Sequence, residues 1–188
     1  DNIFGLGSTD LFKKVKRIQI VACGTSLHAG RVAANWLSSI SELPCQIDYA
    51  SEYRYRNPHV DKNSLLINIS QSGETADTLA ALRYAKEKDY LGSVGICNVP
   101  TSSLARESDF VLFTNAGPEI GVASTKAFTT QLAGLMLLAL SIAKSKGVNP
   151  KLRTRVVTAL RSLPDIINQT LELKDQILEL APAIASKD

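Results

Sequence analysis

The sequence is poor in the residue types that build metal sites and disulfide frameworks. It contains two histidines and three cysteines, Cys23, Cys45 and Cys97. An odd number of cysteines without the spacing of a metal site argues against both a disulfide scaffold and a zinc centre. We therefore expect three reduced thiols in a cytosolic protein core.

Long hydrophobic runs and blocks of like charge are also missing. The longest apolar run, residues 132–143, is interrupted by Gly134 and Ser141 and suits a buried helix better than a membrane span. The net charge is +3, and the basic residues are scattered except for Lys13, Lys14, Lys16 and Arg17. We interpret this cluster as a solvated helix face, because no aromatic residues are interleaved with it. A soluble, cytoplasmic protein with neither nucleic acid nor membrane as partner is expected.

Targeting segments and nucleotide fingerprints are absent as well. No signal or transit peptide is visible, and the single methionine, Met136, is internal, so we expect a piece of a longer protein. Neither G-x-x-x-x-G-K-S/T nor G-x-G-x-x-G occurs, which argues against a nucleoside triphosphate or a dinucleotide as ligand. The 188 residues suffice for one principal core.

Apolar runs of strand length alternate with segments of helical period. The predicted strands are residues 18–23, 45–50, 65–70, 93–97 and 110–114, and the main predicted helices are residues 9–15, 26–40, 76–88 and 124–144, with a short one ending near Glu107. Short apolar strands separated by helices predict a parallel sheet covered on both faces. The expected fold is a three-layer αβα, doubly wound five-stranded sheet with the flavodoxin-like order 2-1-3-4-5.

The tail repeats apolar residues at helical spacing without a strand of its own. Pro164 is expected to break or kink this pattern, and Ser162 is placed to cap a second helix. The predicted organisation is therefore a domain over residues 1–150 and a helical connector over residues 151–188.

Hydroxyl groups cluster around a glycine directly after the third strand, in Ser70-Gln71-Ser72-Gly73-Glu74-Thr75. A helix follows, so its first N–H groups and the hydroxyls of Ser70, Ser72 and Thr75 supply donors for a phosphate. Gly73 is expected to let the chain turn closely around the anion. A plain helix cap by Ser72 or Thr75 is the alternative.

A second donor-rich loop, Cys23-Gly24-Thr25-Ser26, follows the first strand. In the order 2-1-3-4-5 the strand order reverses between strands one and three, and ligands of doubly wound sheets bind at that point. Two such loops facing one crevice favour phosphate binding over simple capping.

A third polar stretch leads into the long apolar helix. Within it Ser124 is a candidate N-cap, Lys126 a candidate exposed charge and Glu119 a candidate turn residue. Glu74 and Glu119 are also candidate proton-transfer groups, although a carboxylate in this position equally well orients a helix N-terminus.

The remaining histidine and cysteine side chains are weaker candidates for catalysis. His28 and His59 have no evident relay partner in the sequence. Cys23 lies at a strand end, where contact with a ligand is favoured over a nucleophilic role. No cluster of ligating residues indicates a metal, and no cofactor is expected.

Three strings together closely resemble the SIS (sugar isomerase) domain of the glucosamine-6-phosphate synthase family. The strings are Cys23-Gly24-Thr25-Ser26, Ser70-Gln71-Ser72-Gly73-Glu74-Thr75-Ala76-Asp77-Thr78 and Glu119-Ile120-Gly121-Val122-Ala123-Ser124-Thr125-Lys126-Ala127-Phe128-Thr129-Thr130-Gln131. The likeness covers residues 18–131 and weakens at either end.

The resemblance implies part of an aminotransferase and isomerase that converts fructose 6-phosphate and glutamine into glucosamine 6-phosphate. In that family a glutaminase domain precedes two SIS domains, and the synthase region forms a homodimer. This chain would be the first SIS domain with its connector to the second, binding fructose 6-phosphate or glucosamine 6-phosphate.

The substrate-binding residues that the resemblance implies lie in all three strings. Ser70, Gln71, Ser72 and Thr75 would bind the phosphate, and Cys23, Ser26, Val122 and Ser124 would contact the sugar or adjacent backbone. The complete set is Cys23, Gly24, Thr25, Ser26, Ser70, Gln71, Ser72, Gly73, Thr75, Val122, Ala123 and Ser124.

The family's glutamate, histidine and lysine that carry the chemistry lie in the second SIS domain and its tail. The chain is therefore expected to bind substrate without converting it. One alternative is a stand-alone SIS module that senses a phosphosugar. Another is a single-SIS phosphosugar isomerase, in which Glu74, Glu119 or His28 would transfer the proton.

Overall fold

The first part of the chain is built on a parallel sheet. The computed structural model describes residues 3–121 and 124–185, and the chain forms two compact units, Asp1–Pro150 and Lys151–Asp188. The strands of the first unit are β1 (Arg17–Ala22), β2 (Cys45–Tyr49), β3 (Ser64–Ser70), β4 (Gly92–Cys97) and β5 (Phe110–Phe113). All neighbouring pairs are parallel, and the order is β2-β1-β3-β4-β5. The predicted fold class and strand order are confirmed.

Helices alternate with these strands and cover both faces of the sheet. They are α1 (Ser8–Lys14), α2 (Gly24–Ser41), α3 (Ala50–Tyr53), α4 (Ala76–Lys86), α5 (Ser103–Glu107) and α6 (Lys126–Lys146). Helix α6 contacts α1 and α2, and helix α4 contacts α3 and α5, so each set forms one outer layer. The single turn α3 is too short to leave a periodic pattern and was not predicted.

The core lies on both sides of the central strand β3, all of whose residues are buried. On one side Leu66 belongs to an apolar cluster with Leu79, Leu82 and Leu104. On the other side α2 approaches the sheet so closely that Gly30 lies against isoleucine side chains. Burial on both faces explains why the strands read as continuous apolar runs rather than alternating ones.

Helix α6 is long and apolar enough to pass a length and composition test for a membrane span. Core helices pass the same test, and α6 carries buried Leu135, Leu138 and Ile142. The Ser41 hydroxyl of α2 donates a hydrogen bond to the Ala139 carbonyl of α6 at 2.9 Å. These contacts fit the interpretation of residues 132–143 as a buried helix.

The described residues of the second unit form α7 (Pro150–Leu171) and α8 (Lys174–Ala185). Of the two outcomes predicted for Pro164, a break is wrong, because α7 continues through it, and a kink stays a prediction. Ser162 caps no second helix, since its hydroxyl donates to the Ala159 carbonyl at 3.0 Å. The surrounding residues are mostly exposed, so water can hydrate the carbonyl that the proline leaves without an N–H partner.

Gly30 provides a test of the close packing between α2 and the sheet. A Cβ there would lie 2.9 Å from Ile47 Cδ1 and 3.0 Å from Ile20 Cγ2. Gly30→Val is expected to lower the free energy of unfolding by about 1 to 3 kcal/mol through overpacking. Ser38→Val, on the exposed face of the same helix, should change it by less than about 0.5 kcal/mol. Urea denaturation compares the two, and equal effects would contradict the packing.

Candidate functional site

The two donor-rich loops leave the sheet side by side. Strands β1 and β3 are parallel neighbours, with Ala22 paired to Ile69, so the loops that follow them start from the same edge. Strand β2 lies beyond β1 and β4 lies beyond β3, which makes this the point where the strand order reverses. The predicted switch point between the Cys23–Ser26 loop and the Ser70–Thr75 loop is therefore present.

Hydroxyl groups shape the Ser70–Thr75 loop from within. Ser70, which is 3% exposed, accepts the Gly73 amide at 3.0 Å and lies 2.9 Å from the Thr75 hydroxyl. The Ser72 hydroxyl accepts the Glu74 amide at 3.2 Å. Two of the loop's amides are thus satisfied internally, and Ser70 has a structural role that the sequence did not reveal.

Outward-facing donors remain in the same loop. In the described part of the chain the amides of Ser72 and Thr75 have no intramolecular acceptor. Because Ser72 Oγ acts as an acceptor within the loop, its own hydrogen is free to be donated. When Ser70 is the donor in the pair with Thr75, the Thr75 hydroxyl hydrogen is free as well. The loop can therefore offer four donors to an anion.

Gly73 packs closely against the segment after β4. Its φ of +67° is strained for a residue with a side chain, and a Cβ there would overlap Ser102. The missing side chain thus makes room for the segment after β4. That the same glycine lets the chain turn closely around an anion stays a prediction.

The segment after β4 holds the loop from behind. The Asn98 amide donates to the Gln71 carbonyl at 3.1 Å, and the Leu104 amide donates to the Gly73 carbonyl at 3.0 Å. Asn98 also fixes the chain after β5, because its side chain accepts the Ala116 amide at 2.7 Å and donates to the Gly117 carbonyl at 2.8 Å. Sequence reasoning missed Asn98, for which an asparagine at the strand-to-turn boundary was the available signal.

Both candidate proton-transfer glutamates are engaged with helix starts. Glu74 Oε1 accepts the Ser103 amide at 2.7 Å, and this hydrogen bond lowers the pKa of Glu74. Glu119 Oε2 accepts the amides of Thr125 and Ala127 at 3.3 and 3.0 Å. The helix-orienting alternative thus describes both carboxylates, and the lowered pKa of Glu74 makes that group a weak base.

The start of α6 differs in detail from the prediction. Its N-cap is Thr125 rather than Ser124, and the capping oxygen comes from Glu119. Lys126 is exposed, as expected for a free charge. The predicted contacts at Val122 and Ala123 lie outside the described residues.

A buried hydrogen bond joins the first loop to α6. Gln131 Nε2 donates to Ser26 Oγ at 3.0 Å, and the two residues are 1% and 7% exposed. Since Ser26 Oγ accepts this bond, its own hydrogen can be donated elsewhere. Cys23 and Thr25 are half-buried and Gly24 is exposed with a φ of +54°. The first loop is therefore fixed at Ser26 and open at its tip.

Helix N-termini at this edge of the sheet fall into two classes. The start of α5 is occupied by Glu74 and by the Ser102 hydroxyl, which accepts the Ala105 amide at 3.3 Å, and the start of α6 is occupied by Glu119. Helices α2 and α4 have N-cap residues, Cys23 and Thr75, whose side chains make no capping bond. The single turn α3, which follows the edge strand β2, has no side-chain cap either. The two helices that flank the switch point therefore both begin without a side-chain cap in the described structure.

The remaining reactive groups have no catalytic arrangement. All three cysteines are free, and burial raises the pKa of Cys45 to about 12 and that of Cys97 above its ordinary value. His28 and His59 are exposed, and within the described residues neither imidazole has a hydrogen-bonding partner. Those same residues contain no group of histidine, cysteine and carboxylate side chains arranged to hold a metal.

A cavity of about 430 Å³ lies at the opposite edge of the sheet, lined in part by Leu11, Tyr90 and Gly92. Its carboxylate, Asp109, is already bound to the amide and hydroxyl of Ser93 at 2.7 and 2.8 Å. The cavity is at the amino ends of the strands, where doubly wound sheets do not bind their ligands. It is therefore not the site.

Comparison with known proteins gives a consistent result. The family model described as SIS domain matches residues 11–141. The chain is 54% identical over 188 residues to the glutamine-fructose-6-phosphate aminotransferase (isomerizing) of Idiomarina loihiensis, covering 100% of this chain and 31% of that protein. For the Escherichia coli K12 protein of the same name, identity is 51% over 183 residues, 97% of this chain and 30% of that protein.

A solved structure agrees with these sequence matches. The C-terminal domain of glucosamine-fructose-6-phosphate aminotransferase from Francisella tularensis superimposes with a TM-score of 0.90 at 46% identity. The match covers 96% of this chain and 51% of that structure. The chain thus spans roughly a third of the curated relatives and half of the solved domain.

Two glycines of the candidate site allow the role of Gly73 to be tested. Gly24→Ala should cost about 1 to 2 kcal/mol of stability, because φ is positive there but nothing lies within 4 Å. Gly73→Ala should cost about 3 kcal/mol or more, since the overlap with Ser102 is added. Adding Ser102→Gly to Gly73→Ala should recover the difference. Chemical denaturation measures all three, and no recovery in the double variant would refute the contact.

Proposed function

This chain belongs to the SIS domain family, and on that premise we propose that it is one SIS domain of a glutamine-fructose-6-phosphate aminotransferase. Its role is to hold the phosphate and sugar of fructose 6-phosphate or glucosamine 6-phosphate between the Cys23–Ser26 and Ser70–Thr75 loops. The full-length protein converts fructose 6-phosphate and glutamine into glucosamine 6-phosphate.

One observation carries the proposal. Of the helices α2, α4, α5 and α6, the two at the switch point lack a side-chain cap, while the other two are neutralised by Glu74 and Glu119. A phosphate at the switch point would provide the negative charge that α2 and α4 lack. The identity of 54% to a named aminotransferase supports a hexose 6-phosphate as the phosphate carrier.

Roles follow from the geometry of the donors. The amides of Ser72 and Thr75 and the hydroxyls of the same residues face the phosphate, and Ser70 keeps the loop in shape. Gln71, whose carbonyl is held by Asn98, has a half-buried side chain that is placed to add a contact. Ser26, oriented by Gln131, donates towards the sugar, with Cys23, Gly24, Thr25 and Ser124 lining the remainder.

Proton transfer is assigned to another part of the full-length protein. In this chain Glu74 and Glu119 are committed to helix N-termini, and His28 is exposed without a partner in the described residues. These observations weigh against a single-SIS isomerase. The high identity to aminotransferases weighs against a stand-alone sensing module.

The same proposal extends to the rest of the protein. The unit Lys151–Asp188 would lead to a second SIS domain, and a glutaminase domain would belong to the same polypeptide. The assembled enzyme would be a cytoplasmic homodimer.

Ligand-dependent thermal stability tests the phosphate role. Fructose 6-phosphate and glucosamine 6-phosphate should each raise the melting temperature of the 188-residue chain, because they bind the folded state only. Unphosphorylated fructose should have little effect. Combining Ser72→Ala with Thr75→Val should abolish the shift, since both hydroxyl donors are lost. Ser38→Ala, an exposed hydroxyl on α2, is the matched control.

Two results would refute a role of the Ser70–Thr75 loop in phosphate binding. One is that fructose stabilises the chain as much as fructose 6-phosphate does, and the other is an unchanged shift of the melting temperature in the double variant.

Turnover by the chain alone provides a separate test. Incubation with glucose 6-phosphate, fructose 6-phosphate and glutamine should give no isomerised or aminated sugar, because neither Glu74 nor Glu119 is available as a base. Analysis by phosphorus NMR detects either product. Product formation that Glu74→Gln or Glu119→Gln abolishes would support the single-SIS isomerase instead.

A further inference from the structure

We propose that Glu74 is a positioning residue of the Ser70–Thr75 loop. By accepting the Ser103 amide, its carboxylate fixes this loop to the start of α5 and thereby sets the affinity for the sugar phosphate. The inference rests on the proposed function. It assigns Glu74, which lies inside the phosphate-binding string, to a role that does not involve contact with the ligand.

The loop and the segment after β4 are joined at successive positions. Glu74 Oε1 accepts the Ser103 amide at 2.7 Å, and the Gly73 carbonyl accepts the Leu104 amide at 3.0 Å. Between these bonds Gly73 lies against Ser102. The contact at Glu74 is the one made by a side chain, so it can be removed without changing the backbone.

Helix α5 is anchored independently of Glu74, so it can serve as a fixed support. Leu104 is fully buried. At the C-terminal end of α5, Glu107 forms a bidentate ion pair with Arg83 of α4, with N–O distances of 2.7 and 2.9 Å. Ser102 caps the helix through the Ala105 amide. Loss of the Glu74 contact therefore frees the loop rather than the helix.

The position of Glu74 in sequence makes the coupling direct. It is flanked by Gly73, which packs against Ser102, and by Thr75, whose amide and hydroxyl are proposed phosphate donors. A displacement of the Glu74 backbone consequently moves the Thr75 donors. The Glu74 side chain is exposed, so its replacement creates no buried cavity.

Charges around Glu74 favour its ionised form. The Ser103 amide lowers the pKa of Glu74 below its ordinary value of 4.5, Arg106 lowers it further, and Glu107 opposes this effect. Arg83 also interacts electrostatically with Glu74. Because the folded-state pKa is lowered, the stabilisation by the carboxylate is complete above pH 4.5 and is lost as the pH falls through the folded-state pKa.

Three variants of the 188-residue chain test the proposal by calorimetric titration with fructose 6-phosphate. Glu74→Ala removes the acceptor and should weaken binding about tenfold, the size of a lost capping bond. Glu74→Gln retains a carbonyl acceptor and should bind within about threefold of the unaltered chain. Glu87→Ala, an exposed glutamate at the other end of α4, should have no effect.

Two ligand-free measurements separate this proposal from the proposed function. Amide hydrogen exchange of residues 71–75 should be faster in Glu74→Ala than in the unaltered chain. The difference in melting temperature between the unaltered chain and Glu74→Gln should shrink as the pH is lowered below 4.5.

Each result has a defined meaning. Unaltered affinity in Glu74→Ala, or equally weak binding by Glu74→Gln and Glu74→Ala, would overturn the positioning role. If the unaltered chain itself does not bind fructose 6-phosphate, the proposed function fails. In that case unchanged exchange of residues 71–75 in Glu74→Ala overturns the anchoring role too, and faster exchange supports it.

Discussion

The close approach of Gly73 to Ser102 is the constraint on which the candidate site depends. A side chain at position 73 would overlap Ser102, so the loop after β3 can lie against the segment after β4 only if this residue is glycine. The approach brings the Gly73 carbonyl to the Leu104 amide and the Glu74 carboxylate to the Ser103 amide. The loop is consequently fixed on the side away from β1, where β4 and the segment that follows it lie.

The distribution of carboxylates explains why one edge of the sheet would select a single anion. Every helix that begins there has a positive end, which any phosphate could approach. The chain supplies its own carboxylates to α5 and α6 through Glu74 and Glu119. Among the described helices, α2 and α4 on either side of the switch point have no side-chain cap, and the single turn α3 after the edge strand β2 has none either. Internal capping thus favours the crevice between the two loops over the starts of α5 and α6 as the place for the proposed phosphate.

Local patterns and long-range contacts differed in how well the sequence predicted them. The strands and the strand order followed from apolar runs and crossover rules, because each depends on neighbouring residues or on a general topological preference. The partner of Glu74 is separated from it by 29 positions, so no local signal identified it. The contact between Gly73 and Ser102 also joins distant positions, and no local pattern indicated it. Pro164 was misjudged because the exposed surface of α7 tolerates a missing hydrogen bond.

The candidate site has most of the features of a preorganised one. Ser70 and Ser72 already hold the amides of Gly73 and Glu74, and Gln131 already orients Ser26. Under the proposed function, a phosphate would require rotation of the Ser72 and Thr75 hydroxyls rather than folding of a loop. Because ordering a flexible segment consumes much of the free energy of association, a loop fixed in advance leaves more of it for affinity. In an enzyme, the same rigidity would hold the sugar at a constant distance from catalytic groups supplied by another domain.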